Sequence, residues 1–401
     1  MDLTTGVPFW LVRDGLTATY PKLNEDRRCD VAVIGGGITG AMVSQRFAEE
    51  GLHTVLLEGR EMGYGSTGSS TALLQYELDT HLVDLAERIG TDAAQRCYRL
   101  CVEAVEGIGR LAEAIGAETD YRRRSSLYLA SHRRDAKLLE RERRARREIG
   151  IEVDLLSPSE IRSRYAFERP AALLSQVGGE VDPLRLTHAL LAAGLRDGLE
   201  IYDRTGVAHY QSDRKGVLLE TDDGWRIRAG KAVFATGCNI PPFFPRRVIR
   251  LNSSFVVATS PLSGFEGWGD DHAMVWETAR PYLYARTTAD NRAIVGGADL
   301  PFKGARKLEK AQDKQTARVA AQFTELFPDI RFDVDWSWAG AFAGTDDGLP
   351  FIGVAPDFPN GYVALGHGAN GVVFSYIAAR LLVDLFTGRA NPDAELFRVG
   401  R

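Results

Sequence analysis

Between Cys29 and Glu58 the chain reads CDVAVIGGGITGAMVSQRFAEEGLHTVLLE, and no other stretch limits the possible folds as tightly. Val31 to Ile34 is a short apolar run bounded by Asp30 and by glycines, the pattern of a parallel strand buried on both faces. Gly35, Gly37 and Gly40 then keep G-x-G-x-x-G spacing. Ile38, Met42, Val43 and Phe47 fall on one face of a helix that stops at Gly51. Thr54 to Leu57 is a second apolar strand, and Glu58 stands at its end. The unit is strand, turn, helix, strand, acid.

Each position has a physical reason. Gly35 permits the tight turn, Gly37 lets a pyrophosphate reach bare backbone, and Gly40 lets helix and strand pack closely. The first helical amides, at Ile38 and Thr39, and the positive dipole end favour phosphate. Glu58 can accept both hydroxyls of an adenosine ribose, while its charge repels a 2′-phosphate. The chain is expected to bind a dinucleotide, and this unit alone does not say which one.

A chain of 401 residues has room for two domains and a large core. Its 44% hydrophobic and 26% charged residues are those of an ordinary globular protein, and a net charge of −5 gives no reason to expect nucleic acid. The four cysteines (Cys29, Cys97, Cys101, Cys238) form no metal pattern, so no metal is expected. Cys97 and Cys101, at i and i+4, read as buried small hydrophobes. Without a disulfide framework, a reducing, cytoplasmic setting is the default. The opening MDLTTGVPFWLVRDGL lacks the apolar core of a signal peptide, and no stretch approaches the roughly 20 apolar residues of a membrane span. Nothing in the sequence fixes the oligomeric state.

Further along, a helical pattern from about Thr80 to Ile115 breaks at Gly90, and Ser126 to Ala130 reads as a strand. His132 to Ile149 is an arginine-rich helix in which Glu140–Arg144 and Glu142–Arg146 make i, i+4 pairs, the pattern of a solvated face. Helices are expected after Ser157-Pro158 and after Val181-Asp182-Pro183. Short strands follow at 200–202, 207–211, 217–221 and 226–228, and Ala232 to Phe234 leads into Ala235-Thr236-Gly237. A strand-like, aromatic stretch from Asn252 to Val295, a charged helix from about Leu308 to Phe327, and a final amphipathic helix ending near Thr387 complete the chain. Nucleotide-binding elements recurring near Gly237 and Gly371 imply a discontinuous domain with a second one inserted.

Taken together, GGGITG with Glu58, GYGSTGSSTALLQ, Val233-Phe234-Ala235-Thr236-Gly237, GTDDGLPFIG and GYVALGHGANGVVFS resemble the FAD-dependent oxidoreductases of the D-amino-acid oxidase, glycine oxidase and sarcosine oxidase superfamily. The resemblance covers essentially the whole chain and is strongest to bacterial oxidoreductases of unassigned substrate that share the PFWLVRDGLTATYP leader. It implies an α/β fold: a Rossmann-like FAD-binding domain (1–85, 157–245 and 340–401) and an inserted α+β substrate domain on a mostly antiparallel sheet (86–156 and 246–339). Gly63 to Ser70 becomes a second phosphate loop, with Gly65, Ser66, Thr67, Ser69, Ser70 and then Thr71 offering amides and hydroxyls. Gly59 and Arg60 lie beside adenine or phosphate, Val207 at the adenine edge, and Ala235, Thr236 and Gly237 beside the cofactor. Gly344 joins them from the C-terminal part. Gly366, His367, Gly368, Ala369, Asn370 and Gly371 lead into a helix whose start faces the flavin N1–C2 carbonyl edge and favours the anionic reduced ring. FAD is expected to be non-covalent, with Cys238 the nearest approach to an attachment point.

On the substrate side, Arg280, Tyr282, Tyr284 and Arg286 share one face of an expected strand, which Pro281 weakens. They either line a polar pocket able to hold a carboxylate or form an ordinary exposed face. Glycine oxidase and its relatives often carry an arginine in a G-x-R-P-G-T-x-D-G run. The matching run here, Gly340 to Gly348, puts Phe342 in its place. Simple α-amino-acid oxidation is therefore not expected unless Arg280 or Arg286 takes over. His367 is either a general base or a residue that orients the loop and touches the flavin edge, and the second role is favoured. The expected activity is removal of a hydride from a carbon bearing an amine or hydroxyl, with oxygen or an electron carrier as final acceptor. Two rivals stay open: an NAD-dependent dehydrogenase, and a flavoprotein that is structural or modifies RNA or protein.

Overall fold

Along the first two strands, successive side chains enter two different cores. Val31, Val33 and Leu56 face one side of a sheet, Ala32, Val55 and Leu57 the other, and all six are fully buried. That pattern needs parallel strands covered on both faces. The computed structural model describes residues 3–116 and 118–401; Met1 and Asp2 of the expected cofactor domain, and Ala117 of the expected substrate domain, lie outside the described residues.

Glu200–Tyr202, Thr54–Leu57, Arg27–Ile34 and Arg226–Phe234 are parallel neighbours in that order. Arg226–Phe234 joins two expected segments into one strand. Its first half continues antiparallel into Gly216–Thr221 and Val207–Asp213, and its second half pairs in parallel with Gly361–Leu365. Helix Ile38–Glu49 packs between Pro183–Arg196 and Gly371–Thr387. Asp182 caps Pro183–Arg196, accepting from the amides of Leu184 at 2.8 Å and Arg185 at 2.9 Å.

The other large sheet has nine strands. Every neighbouring pair in it is antiparallel except Met274–Glu277 with Ser126–Leu129, as expected of a mostly antiparallel sheet. Helix Ala305–Leu326 covers one face through Leu308, Val319 and Phe323.

Domain membership differs from expectation at several places, among them Gly340 to Gly344, which end a strand of the second sheet. Ala172–Ser175 was assigned to the cofactor domain but pairs with Ser126–Leu129, because all four of its residues are buried and it needs an interior position. Thr4–Gly6 closes the edge of Val334–Gly344 instead of joining the first sheet. Thr91–Ile115, assigned to the substrate domain, packs on Gly371–Thr387 in the core beside the nucleotide-binding sheet.

The arginine-rich helix, Asp135–Glu148, is solvated on one side only. Glu140 meets Arg143 at 2.9 Å and Arg144 at 2.7 Å outside, but Glu142 and Arg146 are fully buried and 2.9 Å apart. Leu139, Glu142 and Arg146 make the inward stripe, where Glu142 accepts from the Val83 amide at 2.8 Å and Arg146 donates to the Tyr76 hydroxyl at 3.2 Å. A second correction concerns apolar length. Gly368–Thr387 is long and apolar enough to cross a bilayer, yet its Val373, Phe374, Ile377 and Leu382 are buried in the core.

Candidate active site

The G-x-G-x-x-G turn is set by backbone contacts. Gly35 takes φ +110° against the Ala235 carbonyl, and a Cβ on Gly40 would overlap the Gly35 carbonyl oxygen. Helix Ile38–Glu49 therefore starts directly under the strand ends. Glu58 accepts from the Gly36 amide at 2.7 Å and the Arg60 amide at 2.9 Å, one on each carboxylate oxygen. A carboxylate has about four acceptor sites, so lone pairs remain for a ligand. Thr67, on the short helix Ser66–Ser69, accepts from the Ile38 amide at 2.9 Å and joins the second loop to the first helix.

The leader clamps that loop from behind. Trp10 donates to the Ser70 carbonyl at 2.7 Å and Trp338 to the Ser69 carbonyl at 2.9 Å. The neighbouring Arg13 pairs with Asp182.

A cavity of about 990 Å³ runs through these elements. At one end are Glu58, Gly59, Arg60 and Val207; along it lie Gly35, Gly37, Ile38, Thr39, Gly65, Ser66, Thr67, Ser70, Thr71, Ala235, Thr236 and Gly237; at the far end are Gly366 to Ala369 with Gly371. Three expected cofactor residues lie outside its lining. Gly40 packs beneath the turn. Gly344 opens on an adjoining space of about 440 Å³. Asn370 also borders that space, with its side-chain amide donating to the carbonyls of Gln75 at 2.9 Å and Glu77 at 2.8 Å. It thereby ties down the start of helix Gly371–Thr387.

The reacting end is built from both sheets. Tyr282, Tyr284, Ser254, Asp299, Phe342 and His367 line it. Phe342 stands in the wall, as its place in the Gly340–Gly348 run implied. The expected four-residue strand face does not exist: the strand is Tyr284–Thr287, and Arg280 and Tyr282 precede it beside the cis Arg280–Pro281 bond. Tyr282 donates to Asp79 at 2.9 Å, and the Tyr284 and Ser254 hydroxyls are 2.8 Å apart. Burial holds both phenols above their ordinary pKa, so both stay neutral.

Neither arginine reaches the cavity lining. Arg286 is 1% exposed and donates to the carbonyls of Thr71 at 3.1 Å, Ala72 at 3.0 Å and Val181 at 2.8 Å, with Glu180 at 3.6 Å. Arg280 is exposed and caps the carbonyls of Glu277 at 3.2 Å and Ala279 at 3.0 Å. The expectation that Arg286 contacts substrate is corrected: a guanidinium that donates to four main-chain carbonyls, the fourth being Thr287 at 2.9 Å, anchors the end of the second loop.

His367 is neutral at physiological pH, because burial pushes it down to about 4. Its Nδ1 lies 3.4 Å from the Thr39 hydroxyl, and Nε2 is buried with no partner among the described residues. An orphaned ring nitrogen beside a helix start, at the end of a cavity whose other end carries Glu58, fits the polar edge of an extended flavin dinucleotide. Burial raises Cys238 to about 11, and its thiol lies 3.4 Å from the Ala341 carbonyl. Among the described residues no group of three or more His, Cys, Asp or Glu is placed to hold a metal ion. Reading the sequence missed Asp299 and Ser254; the Gly296-Gly297 interruption of an apolar strand was the available signal.

Comparison with known proteins agrees with this arrangement. A family model described as FAD dependent oxidoreductase (DAO) matches residues 30–385. The chain is similar to gamma-glutamylputrescine oxidoreductase of Escherichia coli (strain K12), with 28% identity over 389 residues, 95% of this chain and 88% of that protein. It is similar to glycine oxidase of Geobacillus kaustophilus (strain HTA426), 27% identical over 371 residues, 89% of this chain and 93% of that one. Among solved structures, glycine oxidase from Geobacillus kaustophilus superposes with a TM-score of 0.79 at 22% identity, covering 94% of this chain and 99% of that chain. L-Proline dehydrogenase from P. horikoshii does so with a TM-score of 0.74 at 20% identity, covering 93% and 97%. The Rossmann-like fold with a second, mostly antiparallel sheet is common to them.

Proposed function

The chain belongs to the family of FAD dependent oxidoreductases, and from that premise we propose that it takes a hydride from a carbon bearing an amine or hydroxyl, on a small substrate that no arginine grips beside the reacting carbon. When bound, FAD supplies the two-electron acceptor. The chain's own groups bind and orient. Glu58 and the hydroxyls of the second loop hold the adenosine and phosphate end. The start of helix Gly371–Thr387 places a positive dipole end at the opposite one. Tyr282, Tyr284 and neutral His367 offer hydrogen bonds and shape. No strong base is needed when the lone pair of the substrate nitrogen or oxygen assists hydride departure.

The observation that carries this reading is the wall made by Phe342 together with Arg286 turned away onto main-chain carbonyls. Similarity to proteins named for gamma-glutamylputrescine and for glycine supports a nitrogen-bearing substrate. The buried Cys238 thiol supports non-covalent FAD, and reduced cofactor would pass its electrons to oxygen or a carrier. Four free cysteines support a reducing compartment such as the cytoplasm. The test is an anaerobic screen of purified, FAD-loaded protein against amines, α-amino acids and hydroxy acids, followed by loss of flavin absorbance. Amines are expected to bleach it fastest. Protein that neither retains FAD nor takes it up would sink the proposal.

A further inference from the structure

Strand Ala293–Pro301 slips register against Arg250–Thr259. Ser253 pairs with Leu300 and Phe255 with Gly297, so Ala298 and Asp299 stand opposite the single residue Ser254. This is a β-bulge, a device that re-aims side chains. Ala298 takes φ +54°, a left-handed conformation unusual for a residue with a Cβ. Alternation along the strand is broken as a result: Ala298 packs into the core beneath helix Ala305–Leu326, while Asp299 turns to the cavity beside Ser254.

The Asp299 carboxylate is left short of partners. Its Oδ1 is buried and accepts no hydrogen bond among the described residues. A buried acceptor without a donor is costly, so its retention points to a ligand. The surroundings say what kind. The rings of Tyr282 and Tyr284 lie with centroids 5.8 Å apart in the same wall. Arg280 and Arg286 are engaged with main-chain carbonyls, and Phe342 brings no charge. This end of the cavity presents a carboxylate and aromatic surface; the Arg280 guanidinium lies 4.7 Å from the Tyr282 ring centroid, but it is not part of the cavity lining and donates to main-chain carbonyls.

We propose that Asp299 is the substrate-selecting residue: it receives the ammonium group of a cationic alkylamine, with the Tyr282 and Tyr284 rings beside it. The inference rests on the preceding reading and narrows its substrate class. Burial raises the Asp299 carboxyl to about 6, while Ser254 and Arg280 lower it and Asp79 raises it further. At neutral pH it is chiefly ionised when the cation arrives, and it can then accept one ammonium proton, which frees the nitrogen lone pair before the hydride leaves.

The test compares n-butylamine, butanoate and n-butanol as ligands of the FAD-loaded protein, with binding read from the shift in flavin absorbance and from calorimetry. Butylamine is expected to bind at least about tenfold more tightly than butanoate. Asp299→Asn should weaken butylamine binding by about tenfold or more, leave FAD content and butanol binding unchanged, and be partly rescued by Asp299→Glu. Butanoate binding as well as butylamine in the wild-type protein, or an unchanged butylamine affinity in Asp299→Asn, would overturn the assignment. If that happens while FAD is held and reduced by an amino acid or hydroxy acid, only this inference falls. A protein without FAD would remove both readings.

Discussion

The two ends of the cavity recognise their ligands by different means. The adenosine end uses backbone: a glycine turn, amide groups at a helix start, and one acid, all within Gly35 to Ser70. The reacting end uses side chains delivered from Ser254, Tyr282, Tyr284, Asp299, Phe342 and His367, which meet only when both sheets are assembled. Backbone recognition tolerates almost no change at a few positions. Side-chain recognition tolerates change and sets specificity.

The sharpest way to break this comparison is Gly40→Val. The added carbons overlap the Gly35 carbonyl, a backbone atom that cannot move aside, so complete loss of retained FAD is expected. Normal flavin absorbance in the purified variant would show that the turn is softer than argued.

Arg286→Ala tests where the boundary between the two ends falls. Removing it leaves four main-chain carbonyls without their donor and Glu180 with Arg124 alone, so denaturation should reveal a loss of about 3–5 kcal/mol together with weaker FAD retention. Arg280→Ala, at an exposed site, should stay within about 0.5 kcal/mol of wild type. A variant at Arg286 that keeps its stability but loses substrate affinity would return this residue to the substrate end.

A pH-dependent effect concerns His367. Its folded-state value near 4 lies below the ordinary 6.5, so between those two pH values the unfolded chain binds more protons than the folded one. Stability contributed by the neutral ring is therefore fully present above pH 6.5 and is lost as pH falls through that window, at no more than about 1.4 kcal/mol per pH unit. His367→Gln should flatten that part of a stability–pH curve and leave hydride transfer within about tenfold, as suits an orienting residue. A slope that persists in the variant would place the titrating group elsewhere.

The same contrast explains what could be read in advance. Strand, turn, helix and acid from Val31 to Glu58 are local, and spacing alone recovered them. The replacement at Phe342 was visible because it interrupts a recognisable run. For Asp299 the glycine pair at 296–297 marked an irregular strand, but not where the side chain points, since its direction comes from a bulge against a strand some forty residues earlier. Arg286 was misread for a related reason: alternation was extended over residues outside the strand Tyr284–Thr287, and it could not show the Thr71, Ala72 and Val181 carbonyls that Arg286 meets. Glu142 and Arg146 looked solvated because i, i+4 pairing is the same inside and outside a protein.

The apolar helix Gly371–Thr387 has a consequence for how the protein is made. It is made about 330 residues after helix Ile38–Glu49, which it covers, and its first residues complete the far end of the cavity. Until it docks, the nascent chain exposes a broad greasy groove, a state prone to aggregation. The cofactor pocket can close only after this helix has been made. Loading with FAD thus waits for Gly371–Thr387, and a chain cut short before Gly371 would be an unfinished pocket and a client for chaperones.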